Sequence, residues 1–168
     1  MTERVMLYSS HPITLEELSP LIRALGGSVV TPDSNEYRVL GSIEQGERYI
    51  IVSGNPVPPQ STTDFWEEDK FDDEKLSNEI VSKLGARPRA SFHIEIGYGP
   101  KSGLLAVELA YQCALRWPCV VFAEEAIGAE RKDGWIAKIH TQEIVYTKED
   151  MESLRSEGKA FTSYGMLD

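Results

Sequence analysis

Residues 61 to 75, STTDFWEEDKFDDEK, place seven carboxylates (Asp64, Glu67, Glu68, Asp69, Asp72, Asp73 and Glu74) beside Phe65, Trp66 and Phe71, against only Lys70 and Lys75. Three kinds of chemistry use such a stretch. A solvated surface uses the charge alone. A calcium loop needs its carboxylates in the order D-x-[DN]-x-[DN]-G, which this spacing lacks, so no metal is expected. A docking site for a basic partner uses charge and rings together, the aromatics filling pockets inside a charged rim that steers the encounter. A merely solvating loop gains nothing from large aromatic side chains, so the partner-binding residues expected here are Asp64, Phe65, Trp66, Glu67, Glu68, Asp69, Asp72 and Asp73.

A second stretch has the layout of a nucleotide site. Gly97, Gly99 and Gly103 punctuate GYGPKSG between a predicted strand and helix, and Glu124 follows 21 residues after Gly103. Glycines there would let backbone amides approach a pyrophosphate at a helix N-terminus, and the carboxylate would hold a ribose. The spacing is G-x-G-x-x-x-G, however, and Pro100 removes one amide donor, so a nucleotide-binding enzyme is the alternative rather than the first reading. Elsewhere His93-Ile94-Glu95 and Pro118-Cys119 match part of the zinc deaminase signature, but Phe122 stands where its second cysteine belongs. Nucleophilic catalysis has little to work with. The histidines are His11, His93 and His140, no G-x-S-x-G elbow exists, and Cys113 and Cys119 lie in apolar contexts that raise a thiol pKa. No enzyme activity and no cofactor are expected.

The elements that must position these residues follow from periodicity. Arg4 to Ser9 is strand-like, and Thr14 with Glu17 forms a capping box for a helix that Gly26 and Gly27 stop. Pro20 falls within that helix, so a kink there, or a restart with Ser19 as a second cap, is expected. Strands are expected at 28–31, 37–43 and 48–53, the last two joined by a turn containing Gly46. Residues 54–71, with Pro56, Pro58 and Pro59, form a long loop. Asp72 or Asp73 caps a helix with Leu76, Ile80, Val81 and Leu84 inward. Residues 91–98 alternate as a half-buried strand. An almost wholly buried helix follows from about 101 to 117, then a central strand at 119–123, a strand at 139–146 and a helix at 148–157.

The whole is expected to be a single α/β (α+β) domain over residues 1–168, with a mixed β-sheet flanked by helices. A chain of 168 residues suits one core, and its apolar fraction of 41% is globular. Twenty-seven acidic residues against seventeen basic ones leave a net charge of −10. Such a field repels phosphate backbones, which argues against direct nucleic acid binding and for a cationic protein partner. No apolar run approaches the ~18 residues of a membrane span, and the first residues lack a basic-then-apolar leader pattern, so a cytoplasmic, membrane-free protein with free thiols is expected.

Residues 102–125, SGLLAVELAYQCALRWPCVVFAEE, and 143–154, EIVYTKEDMESL, resemble immunity proteins of bacterial polymorphic and contact-dependent growth inhibition toxin systems. The likeness covers about the C-terminal 70 residues: a small-residue helix ending in Arg-Trp-Pro, an apolar strand ending at Glu124 and Glu125, and a Val-Tyr-Thr strand leading into the last helix. It implies an inhibitor without catalytic residues that occupies a cognate toxin domain, often a basic nuclease. An acidic surface and a cationic toxin would suit each other.

Overall fold

The computed structural model describes residues 3–30, 38–54, 74–97, 99–127, 130–132, 135–137 and 140–166. Nine strands and four helices follow in chain order among them: β1 (Glu3–Ser9), α1 (Leu15–Ala24), β2 (Ser28–Val29), β3 (Arg38–Gln45), β4 (Arg48–Gly54), α2 (Glu74–Leu84), β5 (Ala90–Ile96), α3 (Gly103–Arg116), β6 (Cys119–Ile127), β7 (Glu130–Lys132), β8 (Trp135–Ala137), β9 (His140–Tyr146) and α4 (Lys148–Glu157), with a 3-10 turn at Ser163–Met166. Seven strands form one sheet in the order β2-β3-β4-β5-β1-β6-β9, and β7 and β8 pair separately as a hairpin.

The α/β class and the helix-flanked sheet are as expected; the strand directions are more uniform. Every pairing among the described strands is antiparallel, where a mixed sheet was expected. A hairpin joins β3 to β4, β6 pairs with β9 across the inserted β7–β8 pair, and the longer connections return the chain beside a strand running the other way.

Helix boundaries follow their local chemistry. Thr14 accepts from Glu17 N–H at 3.2 Å while the Glu17 carboxylate accepts from Thr14 N–H at 3.1 Å, which satisfies two amides at the start of α1. Thr147 and Asp150 repeat the box at the start of α4. Helix α1 runs through Pro20 without restarting. Ser19 is no cap: its hydroxyl donates back to Leu15 O. Gly26, at φ +82°, ends the helix, with Gly27 N–H returning to Ile22 O at 2.8 Å.

One face of the sheet packs against α1, α3 and the C-terminal segment. Val5, Leu7, Ile50, Val52, Phe92 and Ile94 from the strands meet Ile22, Leu105, Leu109 and Phe161 in one apolar cluster. Strict alternation along β5 builds this face: Phe92, Ile94 and Ile96 are buried, while Ser91, His93 and Glu95 between them are half-buried on the other side. Helix α3 is rich in Ala and Gly on its buried surface, which lets it lie close to the sheet. Its polar stripe binds α4 instead: Glu108 accepts from Gln112 and from Arg155 Nε at 2.6 Å, and the Arg155 guanidinium lies 5.2 Å from the Tyr111 ring centre. Tyr146 O–H donates to Phe161 O, and Thr162 bonds the Glu3 carboxylate, tying the C-terminal segment to the start of β1.

On the opposite face α2 covers β6 and β9, its Leu76, Ile80 and Leu84 packing on Tyr8, Val120, Phe122 and Val145. Among the described residues no helix is long and apolar enough to cross a membrane.

Candidate functional site

The expected partner-binding residues Asp64, Phe65, Trp66, Glu67, Glu68, Asp69, Asp72 and Asp73 lie outside the described residues, as does nearly all of the 54–71 loop. The structure brackets them. Gly54 ends β4 beside β5, and Glu74, the last carboxylate of the run, opens α2 with its side chain exposed.

The glycine turn serves packing. Gly97 N–H donates to Tyr49 O at 2.9 Å, and a methyl group on Gly99 would stand 1.5 Å from Glu47 O, so both glycines exist to admit the backbone of the β3–β4 hairpin. Ser102, fully buried, accepts from Tyr49 N–H at 3.0 Å and donates to Gly99 O at 2.6 Å. The amides of Ser102, Leu104 and Leu105 donate to carbonyls of Gly99, Lys101 and Ser102, which removes them from the set a pyrophosphate would need. Glu124 sits on β6, opposite Glu143 of β9. The close approach that the glycine spacing signals is real, and its object is another stretch of this chain.

The zinc-like pattern does not converge either. His93 and Glu95 project from the face that carries Tyr8 and Phe122, whereas Cys119 packs in the cluster on the other side. Burial pushes the Cys113 thiol far above its ordinary value and raises that of Cys119 to about 12, despite a hydrogen bond with Ser9. Both are buried free thiols with little thiolate at neutral pH.

What the fold does bring together is a band of charge on the second face. Arg4 of β1 pairs in register with Glu95 of β5, its Nε and Nη2 standing 2.7 and 2.6 Å from Glu95 Oε1, and Ile51 of β4 is Glu95's neighbour on the far side. One pleat beyond Phe122, Glu124 faces Glu143 across the β6–β9 ladder, both exposed. The band draws on four strands distant in sequence. Glu95 and Glu124 stand out in the sequence only as parts of other patterns, while Arg4 and Glu143 carry no motif. Alternation along β5 marks Glu95 as outward; its alignment with Arg4 depends on strand order, which periodicity does not carry.

A shallow cavity of about 180 Å³ opens at another corner, lined by Lys83, Leu84, Ala114, Trp117, Cys119 and Lys148 among others. Lys83 Nζ is engaged there, donating to Val145 O at 3.0 Å and pairing with Glu79. His11 stacks on Trp117 at 5.7 Å and its Nε2 lies 2.8 Å from Glu17 Oε2, which joins this corner to the cap of α1. Burial would raise the Glu17 carboxyl, but hydrogen bonds from His11 and Thr14, with the charge of His11, outweigh it and hold Glu17 below its ordinary value. Among the described residues no three metal-ligating side chains gather.

No protein-family model, no curated protein and no solved structure matches this chain.

Proposed function

We propose that the protein is a cytoplasmic immunity protein: it binds a cognate bacterial toxin domain, a basic nuclease, and neutralises it through an acidic surface, without catalysing a reaction itself. The observation that carries the reading is the concentration of carboxylates around Phe65, Trp66 and Phe71 in a chain of net charge −10. A nuclease must be cationic where it grips phosphates, so an inhibitor that presents carboxylates competes for the same side chains. On the sheet face Glu95, paired with Arg4, and the register partners Glu124 and Glu143 place further carboxylates. Among the described residues Gly97, Gly99 and Ser102 are engaged in packing the hairpin, and Cys113 and Cys119 in the core.

The test is direct. Nuclease toxin domains encoded in reading frames adjoining that of this chain are purified and their cleavage of RNA and DNA followed with and without an equimolar amount of this protein. Loss of cleavage, with a stable one-to-one complex, is the expected result; full nuclease activity in the presence of excess protein would overturn the reading.

A further inference from the structure

Strand β9 ends the seven-stranded sheet, and among the described residues no strand lies beyond it. Which of its backbone groups face outward follows from the ladders behind it. Ser10 N–H donates to Pro118 O at 3.3 Å, which extends the β1–β6 register by one residue. Pro118, Val120 and Phe122 therefore direct their backbone groups to β1, and alternation turns those of Val121 and Ala123 towards β9, where they meet Tyr146 and Ile144. The amides and carbonyls of Thr141, Glu143 and Val145 are left pointing away from the sheet. Lys83 agrees with this phase: its Nζ reaches Val145 O from outside the ladder at 3.0 Å. A lysine over an edge carbonyl is a common way to block strand addition, and here it closes one end of β9 only. Thr141 and Glu143 lie beyond it.

The side chains say what kind of strand could join. Glu143 is exposed on β9, with Glu124 of β6 as its register partner on the inner side. A second copy of this chain is poorly suited: two-fold pairing about Glu143 would set Glu143 against its own copy, between molecules of net charge −10. A Lys or Arg in that place would meet the exposed Glu143 carboxylate. We propose that β9 is a docking edge to which an extended segment of the cationic partner adds as a further strand, pairing with the backbone of Thr141 and Glu143 and setting a basic side chain against Glu143. This rests on the reading of the partner as a basic protein and names the surface it uses.

The probe is a labelled heptapeptide of alternating Lys and Val, compared with a Glu-Val counterpart and with a Lys-Val peptide N-methylated at every second amide, in both phases. Anisotropy reports binding, and amide hydrogen exchange reports where. The Lys-Val peptide is expected to bind and to slow exchange at Thr141 and Glu143, leaving Gln142 and Ile144, already paired to β6, unchanged. The Glu-Val peptide should not bind, one N-methylated phase should fail, and Glu143→Lys should weaken binding by about tenfold, a cross-strand attraction exchanged for a repulsion. Glu152→Lys on α4 is the control and should change little. Absence of binding, equal binding by both N-methylated peptides, protection away from β9, or self-association that protects Thr141 and Glu143 would overturn the assignment. Full toxin neutralisation by the Glu143→Lys variant would overturn the edge alone; β9 protection by the peptide in a protein that leaves the toxin active would overturn the proposed function alone.

Discussion

The two faces of the sheet are closed by different means. Three segments press on one face, and the residues they bury are apolar from Leu40 and Ile43 on β3 to Val121 and Ala123 on β6. On the other face the described cover is α2 alone, seated over β6 and β9, and apolar packing gives way within two residues of Phe122 and Val145 to Glu124 and Glu143. The first face holds the fold together; the second joins a smaller apolar patch to a charged band. Regions that bind are commonly those that core packing leaves free, and this division puts the freedom on one side.

The same deletion made against each face should have unequal effects. Ile22 on α1 and Ile80 on α2 are both fully buried helical residues, one against each face. Ile22→Ala should cost about 4 kcal/mol, because the cavity it leaves is walled by the β-sheet and neighbouring glycine backbone and cannot collapse. Ile80→Ala should cost about 2 kcal/mol, since a single covering helix can settle into the space. Urea unfolding monitored by circular dichroism gives both values; equal costs would show the two faces to be equally closed.

A smaller effect is expected at the turn between β5 and α3. Gly99→Ala forces a methyl onto Glu47 O and should destabilise by roughly 1–3 kcal/mol, as overpacking against backbone does. Thermal unfolding should show that loss with no accompanying response to NAD or ATP in either variant. A nucleotide at ~100 times its dissociation constant would stabilise by about 2.7 kcal/mol, so a shift of that size in the parent protein would restore the nucleotide reading of Gly97, Gly99, Gly103 and Glu124.

The smallest effect is acidic. Glu17 has a carboxyl held below its ordinary value of 4.5, so it contributes stability above that value and loses it as pH falls through the lower, folded-state value. Denaturant midpoints measured from neutral pH down past 4.5 should therefore decline, and Glu17→Gln should flatten part of that decline. The pair with His11 is over a third exposed on each side, which keeps the change small. An unaltered profile in Glu17→Gln would remove this corner from the acid response.

Much of the fold was legible because its signals are local. Thr14 and Glu17 announce a helix start through hydrogen bonds they make to each other, and Phe92, Ile94 and Ile96 alternate because a strand's neighbours point to opposite faces. Helix α4 begins at Lys148 as its pattern requires. Strand direction was not legible, since a run such as Cys119 to Ala123 records that it is buried and not which strands flank it. The short β7–β8 hairpin carries too few residues to show a period. Glycine spacing at Gly97 and Gly99 correctly signals a close approach but is silent on whether phosphate or peptide does the approaching. The charged band was invisible for a different reason: Arg4 and Glu95 are ninety-one positions apart and meet only through the β1–β5 register.

The proposed capture of a cationic toxin by carboxylates gathered around aromatic rings would leave a kinetic signature. Stopped-flow association of this protein with the proposed cognate toxin domain should slow by about tenfold or more as salt rises past ~0.1 M, where the screening length falls to about 10 Å. A variant with Glu67, Glu68, Asp72 and Asp73 changed to lysine should associate slowly at every salt concentration while unfolding at the parent's denaturant midpoint. Association that is independent of salt, and equally fast in the four-fold variant, would contradict the account.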